Sequence, residues 1–198
     1  GRIVQLEYEI FSQVRSKTAA QLSRIQRTAS AIARLDVLRS FAAVALENGY
    51  VRPQITADSK LEITDGRHPV VEKMLSGVPF VPNDTLLDCG DNRCAIITGP
   101  NMAGKSTYMR QTAIIVIMAQ IGSFVPARSA TVSVVDSVFT RVGASDDLSG
   151  GQSTFMVEMS EVADILKNAT KSIAIIEPAP QQIKSHIVSV LPFRSVKP

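Results

Sequence analysis

Gly99-Pro100-Asn101-Met102-Ala103-Gly104-Lys105-Ser106-Thr107 is the most informative run in the chain. It fits the pattern G-x-x-x-x-G-K-[ST], a loop built to wrap a polyphosphate. A triphosphate needs several N–H donors converging on it. Gly99 and Gly104 let the backbone come that close because they carry no Cβ. Lys105 is placed to reach the β- and γ-phosphates, and the Ser106 hydroxyl to ligate Mg²⁺. A helix that begins here aims its free N–H groups and the positive end of its dipole at the anion.

The flanks supply the strand and the helix that such a loop requires. Cys94-Ala95-Ile96-Ile97-Thr98 is a short apolar run that reads as a buried parallel strand. Tyr108 to Ile121 contains neither Pro nor Gly, and Gly122 with Pro126 beyond it forms a helix stop.

Further out, Arg2 to Asn48 is also free of Gly and Pro. Apolar residues recur there in steps of three and four, at Ile3, Leu6, Ile10 and Val14, then at Leu22, Ile25, Ala29, Ile32 and Leu35. Gly49 is a C′ glycine and Pro53 bars continuation. Unbroken, this helix would be about 70 Å long at roughly 1.5 Å per residue. That is too long for one layer of a compact domain and reads as a lever or coiled-coil arm; a helical hairpin is the alternative. The chain opens at Gly1 inside this pattern, so it reads as a fragment.

Tyr50 to Thr56 reads as a linker, Lys60 to Thr64 as a half-buried strand with a turn at Asp65-Gly66, and Val70 to Leu75 as a short helix. Val78 to Asp84 is a proline-bracketed apolar loop, and Leu86-Leu87 opens another strand. Strands are also expected over Ala130–Val135, Val138–Val142 and Ile173–Ile176. Ser153 and Thr154 suit the N-cap of a helix that carries Phe155, Met159, Val162 and Leu166 on one face.

With 45% hydrophobic and 20% charged residues among 198, the chain can fill one sizeable core. A net charge of +3 permits a nucleic-acid partner without indicating one. Cys89 and Cys94 lack the spacing of a zinc site and read as reduced thiols of a cytoplasmic protein. The apolar run Ala113 to Ala119 is too short to cross a bilayer.

Several stretches together carry a family resemblance: the loop 99–107, Asp146-Asp147-Leu148-Ser149-Gly150-Gly151-Gln152-Ser153-Thr154-Phe155-Met156-Val157-Glu158-Met159, Leu46-Glu47-Asn48-Gly49-Tyr50-Val51-Arg52-Pro53, and Gly66-Arg67-His68-Pro69-Val70-Val71-Glu72. From about residue 3 to about residue 175 the chain resembles the bacterial type of the MutS family of DNA mismatch-repair ATPases. The resemblance implies an α/β fold, a P-loop NTPase of ABC-ATPase type with a mixed sheet flanked by helices, preceded by a long helical lever arm. Residues 1–49 would end the helical core/lever domain, 50–176 would form an incomplete ATPase domain, and 177–198 a poorly ordered tail outside the family.

The resemblance also implies a site for ATP or ADP with Mg²⁺, made by Gly99, Pro100, Asn101, Met102, Ala103, Gly104, Lys105, Ser106 and Thr107, with Ser106 on the metal. Phe80 would pack on adenine with Val81 beside it; a plain core role for Phe80 stays open. Ser153 would reach in trans to the γ-phosphate of the partner's nucleotide; a plain N-cap stays open. Further implied are a homodimer through the ATPase domain, a MutL-type partner, mismatched double-stranded DNA bound through the parent protein, no membrane, and a cytoplasmic, nucleoid-associated location. Leu148 to Gln152 also spells the signature of ABC transporters, so an ABC- or SMC-type ATPase is an alternative. His68 belongs to the family pattern, with no role assigned to it.

The sequence departs from the family after Ile176. The family's strand ends in Asp-Glu, which holds Mg²⁺ through water and activates the attacking water. Here Glu177 is followed by Pro178, so the acidic pair is incomplete. A frame-shifted, spliced or chimeric end explains this. Nucleotide binding can survive such a loss; hydrolysis, which depends on charge and water placed around Mg²⁺, should not.

Overall fold

The computed structural model describes residues 1–75, 77–100 and 103–139, and the backbone of 185–189. The chain divides into two compact units, residues 1–44 and 45–198.

The single long arm expected over 2–48 is not formed. Helix α1 (Arg2–Ala20) ends at Gln21 and α2 (Leu22–Asn48) starts after it. Gln21 sits at φ −98°, ψ 1°, and its N–H donates to Thr18 O at 3.0 Å, a three-residue step where an α-helix takes four. Thr18 Oγ1 donates to Val14 O at 3.0 Å just before the break, but Thr28 makes the same bond to Arg24 O at 3.0 Å inside the unbroken α2, so this bond alone does not end a helix. The hairpin alternative fails too, since α1 and α2 do not pack along each other. No residue of α1 is buried, and α2 buries only Ala45. The C-terminus of α2 is as expected: Gly49 takes φ 61°, and the Tyr50 N–H donates to Ala45 O at 2.9 Å, closing a Schellman-type end.

The second unit is built on a small mixed sheet. It contains β1 (Gln54–Thr56), β2 (Leu61–Gly66), α3 (Val71–Met74), β3 (Asn83–Leu87), β4 (Cys94–Thr98), α4 (Lys105–Gln120), β5 (Ser129–Ser133) and β6 (Ser185–Ser189). Four strands form one sheet in the order β1-β5-β2-β3, with β1 parallel to β5 and the other pairs antiparallel. In β2, Leu61 and Ile63 are buried while Glu62 is exposed, as period-two alternation requires. Leu61 sits between Val132 and Leu87, and this inward row packs with Met109, Ala113, Ile115, Val116 and Ala119 of α4. Each fully buried Leu or Ile here contributes about 1.5–3 kcal/mol.

The helix after the phosphate loop forms as read, beginning a few residues earlier at Lys105. Gly122 (φ 85°) ends it, with the Ser123 N–H on Met118 O at 2.9 Å. Gln120 then ties its last turn to the segment after β5: its Nε2 donates to Val135 O at 2.9 Å and its Oε1 accepts from the Val135 N–H at 2.7 Å.

Other expectations are corrected. The strand before Gly99 is not seen as a buried parallel one: among the described residues β4 pairs antiparallel with β6, in a sheet apart from the other four strands. Its residues alternate between exposed and half-buried, with Ala95 and Ile97 on the core side. A short apolar run does not encode the direction of its partner, so periodicity could not decide this. The tail contributes that partner strand, where no pattern was legible. The expected ABC-type sheet with an arm is therefore replaced, among the described residues, by this small mixed sheet with helices.

The stretch read as a linker holds β1, and Val51 forms a bridge with Val125. Val138 and Phe139 lie in no strand, and the remainder of that expected strand is outside the described residues, as are the helix after Ser153 and the strand Ile173–Ile176. Asp65-Gly66 is the end of β2 with a register shift against β3, in which Asp65 takes φ 50° and its N–H donates to Asp84 Oδ1 at 2.8 Å. Gly66 is required there by space. A Cβ would lie 2.8 Å from Gln111 Nε2 and 3.1 Å from Asn83 O.

Candidate functional site

Residues 99–104 lie between β4 and α4, in the strand–loop–helix order read from the sequence. Gly99 takes φ 154° and Gly104 takes φ 83°, both backbone conformations that side chains with a Cβ rarely adopt. Gly104 is the N-cap of α4 and offers no side chain to cap it. The first bond of the helix runs from the Tyr108 N–H to Gly104 O at 2.9 Å. The N–H groups of Lys105, Ser106 and Thr107 therefore have no partner within the helix. An anion is what such an end accommodates.

Lys105 Nζ donates to Gly99 O and to Pro100 O, at 2.7 Å each. The ammonium is thus folded over the carbonyls of Gly99 and Pro100. Ser106 and Thr107 are half-buried in the first turn, beside Lys105. Asn101 and Met102 are outside the described residues, as are Ser153, Leu148 to Gln152, Glu177 and Pro178.

Phe80 is half-buried and Val81 is 77% exposed. Their loop is tied down at its far end, where Asn83 Nδ2 donates to Val81 O at 3.1 Å. Just beyond, the Tyr108 hydroxyl meets Thr85 Oγ1 at 2.9 Å and donates to Asp84 O at 3.3 Å. Tyr108 is in the first turn of α4, so this contact brings the start of β3 to that helix. Sequence reasoning missed Tyr108 and Thr85. The available signal was Tyr108's place one turn after Lys105, on the same face of the helix.

A second polar cluster surrounds α3. The Glu72 carboxylate accepts from Arg67 Nε at 2.7 Å and from the Tyr50 hydroxyl at 3.3 Å. Arg67 also donates from Nη2 to Asn48 O, and from its backbone N–H to Pro126 O. Burial, with the Glu72 carboxylate alongside, pushes the Tyr50 phenol up to about 12. His68, 7% exposed, is held below the usual imidazole range chiefly by its burial.

Cys89 and Cys94 are free thiols. Among the described residues no group of three or more His, Cys, Asp or Glu could hold a metal ion by itself. Mg²⁺ that arrives with a polyphosphate makes a smaller demand, one hard protein oxygen with phosphate and water completing the shell. The Ser106 hydroxyl fits that demand. No helix among the described residues is long and apolar enough to cross a membrane.

Residues 95–178 match the family model for MutS domain V. The chain is 63% identical over 177 residues to the DNA mismatch repair protein MutS of Acetivibrio thermocellus, an alignment covering 89% of this chain and 20% of that protein. With the protein of the same name from Ruminiclostridium cellulolyticum it shares 65% identity over 170 residues, 86% of this chain and 20% of the relative. With that of Caldicellulosiruptor bescii it shares 62% over 175 residues, 88% of this chain and again 20% of the relative. The chain thus spans about a fifth of the length of these relatives.

Proposed function

Starting from the support these matches give to the MutS family, we propose that the chain is a nucleotide-binding part of a MutS-like DNA mismatch-repair protein. It takes ATP or ADP with Mg²⁺ at residues 99–107. The observation that carries this reading is the uncapped N-terminus of α4 behind a two-glycine loop, with Lys105 folded over that loop. On binding, Lys105 Nζ exchanges the carbonyls of Gly99 and Pro100 for phosphate oxygens. The first-turn N–H groups of α4 would take the remaining oxygens, and Ser106 would hold Mg²⁺, which would supply charge neutralisation. Phe80 offers its face to the base, with Val81 beside it.

In the whole protein, this part serves a clamp on mismatched double-stranded DNA that is driven by ATP. Asn101 and Met102 complete the loop, and Ser153 acts across a homodimer on the partner's nucleotide. A MutL-type partner and a cytoplasmic, nucleoid-associated place of action follow from the same kinship. Turnover is separable from binding. With Glu177 followed by Pro178 in place of an acidic pair, the chain binds nucleotide and hydrolyses it poorly.

The test is calorimetric titration of the purified chain with MgATP, beside the Lys105→Ala variant. Saturable binding that weakens at least about tenfold in the variant is expected for loss of a charge-assisted phosphate contact. Unchanged affinity in the variant refutes the reading.

A further inference from the structure

The stem of the Phe80 segment is held by polar side chains that the phosphate loop does not employ. His68 stands just ahead of α3 and is 7% exposed. Its Nδ1 accepts from two backbone N–H groups, Val70 at 3.3 Å and Val71 at 3.4 Å. Accepting both requires Nδ1 to be bare, which leaves the proton of the neutral ring on Nε2. The imidazole thereby does for α3 what an Asn or Asp side chain does at a helix N-terminus.

One turn further on, Glu72 is gripped from two sides by Arg67 and Tyr50. Arg67 carries the grip to Asn48 O at the end of α2 (3.2 Å) and to Pro126 O behind α4 (2.8 Å). The charged groups felt by His68 are Arg110 of α4, which opposes a second positive charge, and Glu72 of α3, which favours one. At the other end of the segment, Asn83 holds Val81 O and Tyr108 holds Asp84 O. Residues 77–82 follow α3 in the chain and precede the Asn83 and Tyr108 contacts, and only the second of these holds is on α4.

We propose that His68 and Glu72 are positioning residues for the nucleobase: they fix α3, and through it the pose in which Phe80 and Val81 meet the base. This rests on the nucleotide reading above and goes beyond it. Phosphate affinity belongs to residues 99–107, and base affinity to the mount of a separate loop. Damage to the mount removes the base-dependent part of binding and leaves the phosphate part intact.

The experiment measures dissociation constants for ATP and for inorganic tripolyphosphate on the 198-residue chain, on His68→Ala, on His68→Asn and on Glu72→Gln, with thermal midpoints recorded for each. His68→Ala should weaken ATP by about tenfold, the scale of one lost aromatic contact, with tripolyphosphate held within about twofold. His68→Asn, whose Oδ1 replaces Nδ1 as acceptor, should stay within about threefold of the parent for ATP. Glu72→Gln should show the same selective loss, smaller in size. If His68→Ala does not fold, Glu72→Gln and His68→Asn carry the comparison. Equal losses for both ligands, an unchanged ATP constant, or His68→Asn as impaired as His68→Ala overturns the proposal. A parent chain that binds ATP no better than tripolyphosphate overturns the base-binding reading of Phe80 and this inference with it. A parent chain that binds neither overturns the phosphate loop itself.

Discussion

The contact of Thr85 with Tyr108 links the sheet to the phosphate-loop helix, and its worth can be worked out from the structure. Tyr108→Phe removes one hydroxyl and little volume. It leaves Thr85 Oγ1, on a residue 3% exposed, without its 2.9 Å partner, and Asp84 O without its 3.3 Å donor. Asp84 is exposed and water can replace the donor there, so the Thr85 hydroxyl bears most of the cost. A buried hydroxyl left unpaired costs about 1–3 kcal/mol. Partial relief by Thr85's own rotation argues for the lower half, about 1–2 kcal/mol. At roughly 2–4 °C per kcal/mol for a domain of this size, the thermal midpoint falls by about 2–8 °C.

Removing both hydroxyls should cost much less than the two single changes together, because nothing unpaired then stays buried. The assay is urea unfolding followed by far-UV circular dichroism for the parent, Tyr108→Phe, Thr85→Val and the double variant. A coupling energy of about 1 kcal/mol is expected. Strict additivity within about 0.3 kcal/mol, the range for independent sites, would refute the idea that this bond fastens the sheet to α4.

Two further outcomes follow from the same geometry. Gly66→Ala forces a Cβ to within 3.1 Å of a backbone oxygen and 2.8 Å of Gln111, so it should lower stability by about 1–3 kcal/mol, read from the urea midpoint. Burial and the Glu72 carboxylate should delay ionisation of Tyr50 to near pH 12 in an ultraviolet titration. The folded phenol ionises later than the unfolded one, so its contribution to stability is whole below about pH 10 and fades as pH rises from there towards 12. Tyr50→Phe should flatten that alkaline loss, and an unaltered profile counts against the buried Tyr50–Glu72 contact.

What could be read from the sequence was whatever local chemistry settles. Gly49 and Gly122 marked two helix ends because a C′ residue needs positive φ, and both adopt it. The alternation in Leu61-Glu62-Ile63 identified a half-buried strand, and the loop 99–107 announced its own strand and helix. The errors lie where a partner distant in sequence decides. The direction of β4 depends on Ser185–Ser189 in the tail, and β1 exists as a strand through its pairing with Thr131 to Ser133. The break at Gln21 falls in a run without Gly or Pro, where the apolar period continues on both sides and gives no sign of it. The mount around His68 was equally illegible, since Tyr50, Arg67, Glu72 and Pro126 meet only after folding.

Amide hydrogen exchange on the chain with and without MgATP, read peptide by peptide, asks whether nucleotide reaches residues 99–107. Added nucleotide should slow exchange at residues 103–108, where the first-turn N–H groups of α4 would receive the phosphates, and Lys105→Ala should abolish the effect. Exchange there that is indifferent to saturating MgATP would contradict the nucleotide reading.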